Sequence, residues 1–247
     1  MDYLDELGQN KVLQLRSVVI RVEEVILADR VSIGTKELDS ILLGDIPEGY
    51  AVVLTGSPSD KRDYLIKNFL EAGVGEGQTS FYVATEADNL KSLLSKPNFY
   101  LFLCNPKPKV ELPDLPNVIK LRSKTDINNL SMTLARESRN QKQAQQNPKR
   151  FCIEVVSVVL LEYGAKITRK WLAELLTDID SKGFTILAVV NPEMHMSDQT
   201  GALLDLFDGE ISITQAEDQL EFRKSVIVRK LRTQDYIKNP ICLTKSK

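Results

Sequence analysis

The residues best suited to chemistry lie in one run, Gly56-Ser57-Pro58-Ser59-Asp60-Lys61-Arg62-Asp63. An apolar stretch, Ala51–Thr55, precedes it. Asp60–Gly73 follows as a predicted helix with Leu65, Ile66, Phe69 and Leu70 on one stripe. Buried strand, short loop and amphipathic helix together form the layout of a phosphate-binding loop. The working pattern is GxxxxGK followed by Ser or Thr. Its glycines let backbone N–H groups turn inward around phosphate. Its lysine bridges the terminal phosphates and its hydroxyl holds magnesium. Here only the first glycine, Gly56, is kept. Lys61 stands at the second glycine, Arg62 at the lysine and Asp63 at the hydroxyl. Lys61 carries a Cβ that resists positive φ. Arg62 keeps the charge, as a planar fork rather than a point donor. Asp63 could ligate magnesium, but it also sets a carboxylate against polyphosphate. At ~4 Å and an effective dielectric of ~20 such a unit pair repels by about 4 kcal/mol. Asp60 and Asp63 can also satisfy the helix N-terminus themselves. A one-residue gap would bring Lys61 to the lysine position but Arg62 to the hydroxyl.

A second group of candidates is basic: Arg136, Arg139, Lys142, Lys149 and Arg150, in and around the polar run RNQKQAQQNPKR. They would permit a nucleic-acid contact. No aromatic is interleaved for base stacking, so a solvated helix end and loop is the favoured reading. His195 is the single histidine and lies between Met194 and Met196. Without cysteine partners it makes no metal site, and it reads as part of an exposed or interfacial loop.

Alternating strands and helices must position these groups. Residues 1–14 read as an arm or helical turn and Leu15–Val25 as an edge strand. Thr35 is placed to cap a helix with Leu38, Ile41 and Leu42 on one face, ended by Gly44 and Pro47. Thr79–Thr85, Phe99–Cys104, Val118–Leu121, Phe151–Val156 and Phe184–Val190 read as strands. Asp88–Leu94, Ile127–Arg139, Ile167–Asp180 and Ala202–Phe207 read as helices. Glu210–Thr214 and Phe222–Arg232 form a predicted antiparallel hairpin. The pattern predicts a mainly parallel sheet with helices on both faces and an antiparallel β extension at the C-terminus.

Composition narrows the classes. The chain has 247 residues, 43% of them hydrophobic, enough for one sizeable domain. A formal charge of −2 removes the global signature of a nucleic-acid or membrane-surface binder. Cys104, Cys152 and Cys242 lie far apart, which gives no zinc spacing and fits a reducing, cytoplasmic setting. No apolar run approaches the ~20 residues of a membrane helix.

Four stretches, in order, resemble the RecA-like ATPases, and among them the KaiC-like group with its archaeal RadA paralogues. They are SIGTKELDSILLGDIPEGYAVVLTGSPS, FYVATEADNL, KRFCIEVVSVVL, and GFTILAVVNPEMH with the hairpin ending VIVRKLR. The resemblance implies a RecA-like three-layer core over residues 31–232. Residues 1–30 would be an arm and edge strand, and 233–247 a basic tail. It also implies roles. Glu86 would activate water after the second core strand. Glu154 would replace the magnesium-orienting aspartate of the Walker B strand. Asn191 would be a polar sensor. Each has a plainer reading: Glu86 as a helix N-terminal acid, Glu154 as a buried carboxylate paired with Lys61 or Arg62, and Asn191-Pro192 as a turn.

Three functions follow as expectations. The first is a non-catalytic RecA-like protein without cofactor, acting as a partner of other proteins or of RecA-like subunits. The second is a DNA-binding accessory factor of the RadA-paralogue kind. The third is a slow ATPase in which Arg62 neutralises phosphate, Asp63 or Glu154 holds magnesium, and Glu86 positions water.

Overall fold

A computed structural model describes residues 30–105, 107–108, 112–140, 149–218, 221–232 and 234–242. The expected arm at 1–14, the strand Leu15–Val25 and Lys142 lie outside the described residues. A small ribbon pairs β1 (Arg30–Val31) with β2 (Ile46–Pro47), and α1 (Lys36–Ile41) lies between them in sequence. The main strands are β3 (Ala51–Thr55), β4 (Thr79–Ala84), β5 (Phe99–Leu103), β6 (Val118–Lys120), β7 (Lys149–Ile153) and β8 (Phe184–Val190). The hairpin of β9 (Gly209–Asp218) and β10 (Glu221–Leu231) completes the sheet. Its eight strands run in the order β10-β9-β3-β8-β7-β4-β5-β6, and every pairing is parallel except β9 with β10.

All five residues of β3 and all seven of β8 are buried, as strands covered on both faces require. Alternation along the strands divides the core. Val52, Leu54, Tyr82, Cys152 and Leu187 face α1 and α2 (Asp60–Gly75) through Leu38, Leu65, Ile66 and Phe69. Val53, Phe81, Phe151, Ile153 and Ile186 face the other layer. That layer is α3 (Ile127–Asn140), α4 (Val156–Asp180) and α5 (Ser197–Leu204). The expected three-layer α/β architecture is the one observed.

Several boundaries differ from expectation. β7 stops at Ile153, and the apolar run after it is helical from Val156 rather than strand. A short continuous apolar run fits a buried helix as well as a buried strand. The first hairpin strand is longer than expected because QAED continues β9. Thr35 precedes α1 but makes no capping bond, and its Oγ1 is buried without a hydrogen-bond partner among the described residues. Residues 234–241 pack back onto the core: Ile237 N–H donates to Ile41 O at 2.8 Å, and Ile241 bridges Val226 of β10.

The long helix α4 is broken at Gly164, where φ is 70° and ψ 172°. That conformation is essentially restricted to glycine. No atom lies within 4 Å of a Cβ built there, so the constraint is backbone conformation alone. Gly164→Ala is therefore expected to destabilise by about 1–3 kcal/mol in urea unfolding. In an unbroken helix the same change would stabilise by about 1 kcal/mol, so the sign of the shift decides.

Candidate functional site

Parallel pairing sets the carboxyl ends of β3, β8, β7 and β4 along one edge. Thr55 lies opposite Val190, Ile153 opposite Ala188, and Val83 opposite Ile153. This edge is where open α/β sheets bind ligands. It brings together Gly56, Glu154, Asn191 and Glu86, each just beyond the end of its strand. The four were separated by up to 135 residues in sequence, from 56 to 191.

The loop after β3 is internally satisfied. Gly56 N–H donates to Val190 O at 3.1 Å, so that donor is spent on the sheet. A Cβ at Gly56 would come within 3.0 Å of Ile213 Cβ, so this glycine also serves the packing of β9. Ser59 caps α2, its hydroxyl accepting from Arg62 N–H at 3.4 Å while Asp63 N–H donates to Ser59 O at 3.0 Å. Asp60 and Asp63 fill the first turn with negative charge, which complements the helix dipole. The cap is thus Ser59, with the two acids behind it.

Arg62 turns back toward the sheet. Its Nη2 lies 3.5 Å from Asp63 Oδ1 and 3.8 Å from Glu154 Oε2. The Arg62 and Glu154 side chains are only 15% and 21% exposed, which limits solvent screening of the pair. Arg62 Nε is buried and has no hydrogen-bond partner among the described residues. Glu154 Oε1 accepts from the Tyr82 hydroxyl, and its N–H donates to Val83 O at 2.9 Å. The ion pair expected between Glu154 and a loop base is present, and Arg62 is the base.

Burial governs ionisation in this cluster. Desolvation raises the Glu154 carboxyl above its usual range; Tyr82 and Arg62 oppose the shift and Asp63 adds to it. Burial, with the Glu154 charge beside it, holds the Tyr82 hydroxyl well above its usual value, and the Cys152 thiol is pushed up in the same way. A raised folded-state pKa means that the fold prefers protonated Glu154. That contribution is complete below the unfolded value near 4.5 and is lost as pH rises through the folded value. Glu154→Gln keeps an acceptor for Tyr82 and carries no charge to desolvate. Its melting temperature relative to the parent is expected to climb between pH 4 and pH 7. A constant difference in thermal melts across that range would refute the assignment.

Glu86 follows β4, and its Oε1 accepts from Asn105 Nδ2 at 3.0 Å. Asn105 is buried; the same Nδ2 donates to Thr85 O at 3.1 Å, and its Oδ1 accepts from Lys107 N–H at 3.1 Å. Sequence reasoning missed Asn105. The available signal was a polar residue directly after FYLFLC, at the end of the neighbouring parallel strand. The 3-10 helix Asp88–Leu93 is preceded by Ala87, so Glu86 lies before its first turn. Asn191 accepts from Glu193 N–H at 3.2 Å and starts the 3-10 turn Pro192–Met194, as an Asn-Pro turn would.

The basic candidates among the described residues do not form one patch. Arg136 is exposed and pairs with Glu137 at 2.9 Å, while Arg139 donates to Ala135 O. Lys149 opens β7, where its Nζ donates to Lys182 O at 3.2 Å and lies 5.6 Å from the Phe184 ring centroid. This is the amino edge of the sheet, opposite the loop. Arg150 is not at the surface. It is fully buried beneath α2, because β7 register turns it to that layer. It donates to Ser32 O, Phe69 O, Gln78 Oε1 and Glu76 Oε2. A Cβ on Gly73 would lie 2.4 Å from Arg150 Cδ, so that helical glycine makes room for it. Among the described residues no cluster of His, Cys, Asp and Glu could hold a metal ion, and no helix is long and apolar enough to cross a membrane.

Comparison with known proteins follows the same outline. The family described as "ATPase: KaiC" matches residues 31–244. UPF0273 protein MK0039 of Methanopyrus kandleri is 40% identical over 58 residues, 24% of this chain and 23% of that protein. The chain thus matches about a quarter of that relative's length. The crystal structure of KaiC-like protein PH0186 from Pyrococcus horikoshii superposes with a TM-score of 0.66 at 17% identity, over 86% of this chain and 93% of that one. At that identity the likeness speaks to the fold alone.

Proposed function

The chain belongs to the KaiC family of ATPases, and on that premise we propose that it is a non-catalytic member which uses the domain as a platform for protein contacts. The observation that carries this reading is the course of Arg62. The one cation at the lysine position is drawn down to Glu154 and Asp63 instead of standing over the loop.

The residues present do not fit Mg-ATP. The Gly56 N–H is committed to Val190, and the Arg62 N–H to the Ser59 cap. Lys61 fills the position where the motif needs a glycine. Asp63 and Glu154 oppose a polyphosphate with two carboxylates that Arg62 already partners. Glu86, the one acid retained for water activation, is held by Asn105.

Isothermal titration calorimetry and thermal melts with ATP, ADP and magnesium test the reading. The expected result is no heat and no shift at millimolar nucleotide. Binding in the micromolar range would overturn it and favour the slow ATPase. Arg150 removes one member of the basic set that motivated a DNA-binding accessory factor. Anisotropy with single-stranded DNA at two salt concentrations tests what remains of that alternative.

A further inference from the structure

The carboxyl edge of the sheet continues past β4, and beyond β5 and β6 it opens into a cavity of about 400 Å³. Its floor is apolar. Leu103 ends β5, Leu121 follows β6, and Leu112 comes from the connector between the two strands; all three are buried. Register sets Lys120 opposite Leu103, so the two side chains share one face of the sheet. Lys120 Nζ donates to Leu112 O at 3.1 Å, which ties the connector to that strand. Asn105 and Arg122 complete the polar wall. A cavity of this volume, with an apolar floor and a few converging polar groups, has the form of a small-molecule site. It also lies outside the carboxyl ends of parallel strands, where open α/β sheets bind ligands.

The polar groups differ in what they still offer. Arg122 is exposed, and its guanidinium enters no hydrogen bond or ion pair among the described residues. Lys120 shares its charge with Asp114 at 2.5 Å, and Asp114 is 94% exposed, so water and salt screen that pair. Asn105 is buried. Its Nδ2 is spent on Thr85 O and Glu86 Oε1. Its Oδ1 accepts one bond among the described residues, from Lys107 N–H, and a carbonyl oxygen can accept two. Two described acids stand near, Asp114 on Lys120 and Glu86 on Asn105. Among the lining residues Arg122 is the charge left uncompensated. A planar guanidinium with free donors suits the paired oxygens of a carboxylate or a phosphate.

We propose that this cavity binds a small organic anion. Its carboxylate or phosphate head lies on Arg122 and Lys120, its apolar body over Leu103, Leu112 and Leu121, and a ligand N–H or O–H donates to Asn105 Oδ1. The site is separate from the phosphate loop. β3 and β5 are four places apart in the sheet, about 19 Å at ~4.8 Å per spacing. The inference goes beyond the platform reading and does not rest on it. Nucleotide binding at the loop would overturn that reading and leave this one standing.

Amide NMR titration of the full chain tests it, with phenylacetate, benzyl phosphate and the neutral phenylacetamide as probes. At least one anion is expected to bind with a Kd of about 1–10 mM or tighter, the range for probes of this size. The amides of Asn105, Leu121 and Arg122 should shift, and those of Gly56 and Ser57 should not. Phenylacetamide should bind about tenfold more weakly or worse, and Arg122→Ala should cost the anion about tenfold or more. Arg122 makes no contact that folding needs, so this variant should melt as the parent does. Phenylacetate ahead of benzyl phosphate marks the ligand as a carboxylic acid, and the reverse order marks it as a phosphate ester. No saturable shift by either anion at about 20 mM overturns the proposal, since a built site would fill there. So do equal affinity for the amide, an Arg122→Ala variant that binds as the parent does, and shifts that gather at Gly56 and Ser57 instead.

Discussion

Arg150→Met is expected to lower the folding free energy by about 3–5 kcal/mol, the cost of breaking a buried charged network by removing one partner. The guanidinium serves four acceptors at once. It reaches Ser32 O at 2.6 Å, Phe69 O at 3.0 Å, Gln78 Oε1 at 2.6 Å and Glu76 Oε2 at 3.2 Å. Its Cζ also lies 5.1 Å from the Phe69 ring centroid. Methionine fills much of the volume but offers no donor. Each buried carbonyl left bare costs about 1–3 kcal/mol. Glu76 is half exposed and returns to water, so the loss comes from the carbonyls and Gln78. Urea unfolding measures the change. Arg136→Ala is the control, because its exposed pair with Glu137 should be worth less than about 0.5 kcal/mol. Equal effects at the two positions would refute the keystone role of Arg150.

The second large effect concerns the loop. Lys61→Gly, Arg62→Lys and Asp63→Thr in one chain are expected to create Mg-ATP binding that the proposed reading denies to the parent. The first change admits positive φ, the second supplies a point donor, and the third removes a carboxylate whose repulsion is about 4 kcal/mol at ~4 Å. At a hundredfold excess over Kd, binding stabilises by about 2.7 kcal/mol. For a domain of this size that is roughly 5–10 °C in Tm. Glycine near the start of α2 lowers the unliganded baseline by up to about 1 kcal/mol, so the comparison is made within the variant, with and without nucleotide. A folded variant with no nucleotide-dependent shift would refute the role proposed for these three side chains.

Much of this arrangement was legible in the sequence because it rests on periodicity. AVVLT and FTILAVV are short β-branched runs suited to strands covered on both faces, and the stripe Leu65, Ile66, Phe69, Leu70 marks one buried helical face. The pairing of Glu154 with a loop base was legible too, since a carboxylate at the end of an apolar strand needs a cation. Arg150 was not. In PKR it looks like part of a basic surface run, and composition cannot tell which way a strand residue points. Register decides that, and its only trace in sequence is Gly73, a glycine inside a helix at the place where the guanidinium stem passes. The break at Gly164 was hidden for a related reason: VSVVLLEYG has no period that separates helix from strand. Asn105 was hidden because its partner Glu86 is a neighbour only across β4 and β5.

The strand order also sets a schedule for the chain as it is made. β3 lies between β8 and β9, which are synthesised more than 120 residues after it. Until they emerge, an apolar strand has both of its edges open, a form prone to pairing with other chains. Strands β4, β5 and β6, joined next by β7, can assemble a half-sheet without β3. The phosphate-loop strand is therefore the last of the central set to be enclosed. Nascent chains halted before residue 184 should hold it uncovered, and there a ribosome-associated chaperone has the most to protect.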